Sequence, residues 1–289
     1  MSGTYRLAVL GAGVMGTGVA ALAVGHGLPV VLVDTAGSIL DRARARVAQQ
    51  HRLARLMGAM PADATPGELV TTTRLADIAA ATAVIESITE RVELKTRLLA
   101  EASGVVAAGT TLVSNTSAIP IDELAQACAR PADLVGVHFM NPPYLIRTVE
   151  VVRGPRTGDA AMAAAMALVS ALGREAVVVG DGPGFVVNRI LQRTISEAAR
   201  IVEEGVATPE EVDVLFTGCL GHRAGPLHTA DLIGLDNVVD SLRVLLDRTG
   251  DEGYRPCDLL AAKVNAGDLG RKTGRGFFDY GGPDFGGAM

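Results

Sequence analysis

Two rhythms of hydrophobic and polar residues divide the chain. Up to about residue 180, short apolar runs alternate with longer segments in which apolar residues recur every third or fourth position. The runs at 5–10, 29–33, 69–72, 83–88, 111–114, 134–139, 148–153 and 176–179 predict strands. The intervening segments predict a helix after the glycines at 11–16, a long one at 38–57, one running from Glu90 through Leu94, Leu98 and Leu99, and others at 122–129 and 159–172. A shorter helix is expected near 75–80. Strands alternating with helices point to an α/β fold with a largely parallel sheet. After Gly180-Asp181-Gly182-Pro183-Gly184 the rhythm changes. Val187, Leu191, Ile195, Ala198 and Val202 fall on one face of a long amphipathic helix. Thr208 and Glu211 predict a capping box with Pro209 at the first helical position, and further helices are expected at 210–217, 233–247 and 257–265. The pattern therefore predicts an α/β domain at 1–183 and an all-helical domain at 184–289. The broad apolar faces of that second domain predict burial against a second copy, making a homodimer.

Composition sharpens this picture in a few places. Aromatic residues are 3% of the chain and Trp is absent, so Ala, Val, Leu and Ile must build the core. The net charge of −6 gives no general affinity for nucleic acid or an anionic membrane. The helix at 38–57 runs against that balance, with Arg42, Arg44, Arg46, Arg52 and Arg55. It is either a solvated face or a contact for phosphates or an acidic carrier protein. Cys128, Cys219 and Cys257 are too few and too widely spaced for a disulfide framework or a metal cluster, which fits reduced thiols in a cytoplasmic protein. No apolar stretch is long enough to predict a membrane span, and the N-terminus shows no signal-peptide pattern.

The first strand runs into GAGVMG, whose glycines are Gly11, Gly13 and Gly16. Gly11 permits a tight turn, Gly13 clears space for a pyrophosphate against the backbone, and Gly16 lets the helix pack closely on the sheet. The second strand ends at Asp34, far enough along to accept hydrogen bonds from an adenosine ribose. No arginine follows at once to receive a ribose phosphate, so NAD is the expected cofactor. Asn115, Thr116 and Ser117 lie at the carboxyl end of another strand, where ligands collect in open parallel sheets. Ser117, His138 with Glu150, and Asn188 are placed to meet the nicotinamide end. Alcohol oxidation needs a base, and an imidazole ordinarily titrates near neutrality, which selects His138. Glu150, on a neighbouring strand, is expected to orient the other ring nitrogen. Ser117 and Asn188 suit hydrogen bonds to substrate oxygens. Glu86 interrupts an apolar strand, either near the cofactor or as a buried structural contact. Arg147 stands three residues before Glu150, so strand alternation directs it to the opposite face. His222, His228 and Thr229 are expected on loops.

GAGVMG, SNTSAI, HFMNPP, VEVVRG, DGPGFVVNR, GHRAGPLHTADLIGLD and GRKTGRGFFDY follow one another across nearly the whole chain. This series resembles the 3-hydroxyacyl-CoA dehydrogenase family, especially the bacterial 3-hydroxybutyryl-CoA dehydrogenases. The resemblance implies a Rossmann-like N-terminal domain followed by a helical dimerisation domain. It implies His138 as base, Glu150 as its partner, and Ser117 and Asn188 on the hydroxyl and acyl-thioester oxygens. The candidate cofactor set is Gly11, Gly13, Val14, Met15, Gly16, Asp34, Glu90, Lys95 and Asn115; the candidate substrate set is Ser117, Asn141, Asn188, His228 and Thr229. The expected partner is an acyl-CoA or acyl-carrier-protein thioester.

The chain departs from the family pattern at Ala118, in the Pro142-Pro143 pair, and at His228-Thr229, where the family usually has Glu-Leu. These changes also resemble enzymes that oxidise glyceryl groups on acyl carrier protein to make polyketide extender units. A dinucleotide-binding relative without turnover is opposed by the His138–Glu150 pair. Relatives such as 6-phosphogluconate and 3-hydroxyisobutyrate dehydrogenases usually carry a catalytic lysine, where this chain has HFMNP.

Overall fold

The computed structural model describes residues 6–281. Tyr5, the expected start of the first strand, and residues 282–289 of the expected second domain lie outside the described residues. The chain divides into two compact units, Met1–Phe185 and Val186–Met289, two residues past the expected 183/184 boundary.

The first unit contains β1 (Leu7–Leu10), α1 (Val14–Gly25), β2 (Val30–Val33), α2 (Gly37–Leu56), β3 (Leu69–Thr72), β4 (Ala83–Glu86), α3 (Val92–Val105), β5 (Thr111–Ser114), α4 (Ile121–Ala125), β6 (Leu134–His138), β7 (Thr148–Arg153), α5 (Asp159–Ala171) and β8 (Glu175–Gly180). They form one eight-stranded sheet in the order β3-β2-β1-β4-β5-β6-β7-β8. Every pairing is parallel except β6 with β7. The central strands are near-continuous apolar runs because helices cover both faces. Alternation splits β1, sending Leu7 and Val9 to a core with Leu22 and Leu168, and Ala8 and Leu10 to a core with Leu99 and Leu124. Strand order reverses at β1, so β1 and β4 feed a crevice over their carboxyl ends, the place where such sheets bind ligands. The segment expected to be helical at 122–129 is shorter. Its first N–H groups, those of Ile121 and Asp122, are capped by the Asp181 carboxylate at 2.8 Å each.

The second unit is helical: α6 (Val187–Glu203), α7 (Pro209–Leu220), α8 (Pro226–Ile233), α9 (Leu235–Thr249) and α10 (Asp258–Ala266). Ile195, Leu227, Val238, Leu242 and Leu260 are among its buried core residues. The capping box is present: Glu211 N–H donates to Thr208 Oγ1 at 3.2 Å, and Thr208 N–H donates to Glu211 Oε2 at 2.8 Å.

Helix α8 corrects the expectation of a loop at His228 and Thr229. Pro226 occupies its first position, and the Asp213 carboxylate accepts the N–H groups of Leu227 at 2.9 Å and His228 at 2.8 Å. Gly225 leaves room for this cap, since a Cβ there would lie 2.0 Å from Asp213 Cγ. Among the described residues no helix is long and apolar enough to cross a membrane, and no cluster of His, Cys, Asp or Glu could hold a metal ion.

Candidate active site

The turn from β1 into α1 gives each glycine a distinct physical reason. Gly11 has φ +98°, and a side chain there would press on the Ser87 carbonyl oxygen at 2.8 Å. A Cβ on Gly16 would lie 1.8 Å from the Gly11 carbonyl oxygen, so helix and turn could not close. Gly13 is different: a Cβ there meets nothing within 4 Å. Among the described residues no contact requires glycine at that position, which is what a residue kept bare for a ligand would show. The residue before α1 is Gly13, which has no side chain to cap the helix, and this suits an anion at its first N–H groups. Val14 is exposed and Met15 half-buried at this end. Asp34 accepts the Ala12 N–H at 2.7 Å through Oδ2 and the Thr35 N–H at 2.7 Å through Oδ1. It is thereby fixed against the glycine turn, with acceptor capacity left for ribose hydroxyls. The residues present therefore fit a dinucleotide.

His138 ends β6, and the antiparallel register sets it directly across from Glu150. Nδ1 lies 2.8 Å from Glu150 Oε2, with His138 8% and Glu150 5% exposed. A carboxylate can only accept here, so Nδ1 carries the proton and the other nitrogen, Nε2, is the basic one in the neutral ring. The Phe185 ring lies 6.1 Å from the imidazole; its φ of +49° is an unusual backbone state for a bulky residue. Asn115 Oδ1 accepts the Phe139 N–H at 2.9 Å, clamping the end of β5 to the residue that follows the base.

A second group of charges holds the Ser117 loop. Glu90 Oε1 accepts from Thr116 Oγ1 at 2.5 Å, Ser117 N–H at 2.8 Å, Ser117 Oγ at 3.2 Å and Ala118 N–H at 3.0 Å. Burial works to raise the Glu90 carboxyl, but Lys95 and these hydrogen bonds outweigh it and hold the carboxyl below its ordinary value. Lys95 is 1% exposed, and its ammonium contacts Glu86 at 2.7 Å, Glu90 at 3.2 Å and the Ile88 carbonyl at 3.3 Å. Those three contacts match the three donors of an ammonium, so Lys95 shapes the site through Glu90. Glu86, fully buried, also accepts from Ser114 Oγ at 2.7 Å and Ile88 N–H at 2.8 Å. Of its two expected roles, the structure shows the buried contact.

The structure thus pairs His138 with Glu150, ties Asn115 to the backbone of Phe139, the residue after His138, and brings Ser117, Glu90 and Lys95 into a second bonded group. Asn141 is exposed three residues beyond His138. Arg147 pairs with Glu175 at 3.4 Å and is exposed. Asn188 belongs to the second unit, in the first turn of α6, where its Oδ1 accepts from Gln192 Nε2 at 3.0 Å. Thr229 returns a hydrogen bond to the Gly225 carbonyl at 2.8 Å and lines an apolar cleft with Val187, Ile190 and Phe216. The His228 ring lies 5.4 Å from Phe278 and 5.8 Å from Tyr280. Sequence pattern placed Thr116 at the strand end but gave no site role to Asp181 or Phe185. Each sits inside a quoted motif, but each acts through backbone geometry that residue types alone do not disclose.

The family model described as 3-hydroxyacyl-CoA dehydrogenase, NAD binding domain, matches residues 6–182, and the C-terminal domain model of the same family matches 184–280. A probable 3-hydroxybutyryl-CoA dehydrogenase of Deinococcus radiodurans is 40% identical over 279 residues, covering 95% of this chain and 100% of that protein. The 3-hydroxybutyryl-CoA dehydrogenase of Bradyrhizobium diazoefficiens is 39% identical, covering 95% of each. The crystal structure of (S)-3-hydroxybutyryl-CoA dehydrogenase from Ralstonia eutropha superposes with a TM-score of 0.87 at 37% identity, covering 96% of this chain and 99% of that one.

Proposed function

The chain belongs to the 3-hydroxyacyl-CoA dehydrogenase family, and from that premise we propose that it interconverts 3-hydroxybutyryl-CoA, or a similar short 3-hydroxyacyl-CoA, with the 3-oxoacyl thioester. The single observation that carries this reading is the buried His138–Glu150 pair at 2.8 Å. In the oxidative direction His138 Nε2 takes the hydroxyl proton, and Glu150 stabilises the imidazolium that results. NAD, when bound, would supply the acceptor for the hydride that leaves the carbon bearing that hydroxyl, which becomes the 3-oxo carbon. Gly11, Gly13, Val14, Met15 and Gly16 hold the pyrophosphate side and Asp34 the adenosine ribose. Glu90, Lys95 and Asn115 complete the cofactor side, Lys95 acting through Glu90. Ser117, Asn141 and Asn188 supply hydrogen bonds to the substrate oxygens.

CoA is favoured over a carrier protein because the relatives reported above carry CoA in their names. The glyceryl alternative rests on the polar side chains of His228 and Thr229; both lie on α8 rather than on the expected loop, and Thr229 lines an apolar cleft with Val187, Ile190 and Phe216. The cationic face of α2 is the candidate contact for CoA phosphates. Asp34 favours NAD over NADP, since a carboxylate repels a ribose phosphate. The test compares kcat/KM for 3-hydroxybutyryl-CoA and for a glyceryl group on acyl carrier protein, each with NAD and NADP. The expected result is highest efficiency with the CoA thioester and NAD. A clear preference for the glyceryl carrier protein would replace this substrate, and equal or better use of NADP would refute the role given to Asp34.

A further inference from the structure

The connector that joins β6 to β7 leaves His138 and returns to Glu150. Its middle forms one wall of a cleft of about 290 Å³ that lies wholly within the first unit. Tyr144 and Arg147 come from the connector, His26 from the end of α1, Met60 from the segment after α2, and Arg174 from the turn before β8. None of these residues belongs to the catalytic group described above.

Three observations give the cleft a chemical character. Arg174 is 8% exposed, yet its guanidinium bonds only carbonyl oxygens, with Nε donating to Leu172 at 3.1 Å and Nη1 to Ile146 at 3.3 Å. Among the described residues Nη2 has no hydrogen-bond partner and no carboxylate bonds this buried cation. Tyr144 is 2% exposed, and among the described residues its hydroxyl also has no hydrogen-bond partner. Both side chains are buried along their length, but neither free end is a sealed-off polar atom, so in the cleft each is left to solvent or to a ligand. Finally, positive groups crowd one another here. Burial, and then the neighbouring Arg147, push Arg174 downward and outweigh the opposing pull of Glu175; burial first, and Arg174 further, hold His26 below its ordinary value despite the Leu22 carbonyl. Arg147 is partly compensated by Glu175 at 3.4 Å, and among the described residues no carboxylate lines the cleft.

We propose that this cleft binds a small oxyanion, the carboxylate or phosphate group of a small molecule, through Arg174 and Tyr144, with Arg147 at its edge. An oxyanion supplies the acceptors that the guanidinium and the hydroxyl both lack, and it relieves the repulsion between the two arginines. Met60 beside the charged groups leaves an apolar surface for a short carbon body. The site goes beyond the dehydrogenase reading and does not depend on it.

His26 is a built-in reporter, and with five histidines in the chain its signals can be identified by their loss in His26→Gln. Proton–carbon NMR of histidine-labelled protein is followed while sodium phosphate or sodium acetate is added, with sodium chloride at matched ionic strength as the control. The His26 signals should move saturably with phosphate, with acetate or with both, and not with chloride. A response to phosphate alone assigns a phosphate ligand, and one to acetate alone a carboxylate. Arg174→Gln should weaken the binding by about tenfold or more, and Tyr144→Phe by about fivefold. Tyr144→Phe removes a single oxygen and keeps the ring, so the test survives if loss of Arg174 unfolds the chain. A shift that is linear in concentration, one that chloride reproduces, or a Tyr144→Phe protein that titrates like the parent would overturn the proposal.

Discussion

At the scale of single residues, the proposed chemistry depends on how two carboxylates are held. Glu150 faces His138 across a strand pair, where it fixes the tautomer and awaits a positive charge. Glu86 sits beneath the Ser117 loop and holds Lys95, which in turn steadies Glu90. Glu86→Gln keeps the shape but leaves a buried ammonium with a neutral neighbour, so it should cost about 3 kcal/mol of stability. The urea midpoint measures this, and an unchanged midpoint would show that the pair contributes nothing net. Glu90 adds a pH dependence. Its carboxyl is held below its ordinary value in the folded chain, so its contribution is complete above the unfolded value of about 4.3 and is lost as pH falls through the lowered folded value. Glu90→Gln should therefore flatten the acid side of the stability profile below about pH 4.3. An acid limb as steep as the parent's would assign it to other carboxylates.

At the scale of elements, the instructive case is α8. Its cap comes from Asp213, fourteen residues before Leu227, so nothing local to Gly225-Pro226 announces a helix start. Asp213→Ala removes the acceptor for two N–H groups and should destabilise α8 by about 1–2 kcal/mol. Faster hydrogen exchange at Leu227 and His228 would show this, and unchanged protection would mean another group caps the helix. Where the decisive interactions were local, the sequence was enough to read them. The central strands read as short apolar runs because both of their faces are buried, Gly11 and Gly16 stand where close contacts forbid a side chain, and the Thr208–Glu211 box lies within one turn. What stayed hidden was long-range: Asp181 reaching back to cap Ile121, Asn115 clamping Phe139, and Arg174 brought beside His26 although the two are far apart in sequence. The His138–Glu150 pair was readable because an antiparallel return of twelve residues was enough to place the two face to face.

At the scale of the whole molecule, the second unit presents more apolar surface than it needs for itself. Ile190, Val214, Leu215, Leu220 and Leu232 are each more than half exposed on its helices, while its own core is filled by Leu227, Leu242 and Leu245. Surface of this kind supports the proposed homodimer, for which sedimentation velocity should give twice the 29.8 kDa of one chain. A monomer at micromolar concentration would refute it. The central claim is that this fold brings a base to a dinucleotide site and uses it on a 3-hydroxyacyl thioester. Single-turnover formation of reduced cofactor from 3-hydroxybutyryl-CoA and NAD, followed in the parent and in folded His138→Gln, tests it most directly. A burst in the parent and a chemical step slowed by about two to four orders of magnitude in the variant is the predicted result. A variant that turns over at the parent's rate would contradict it.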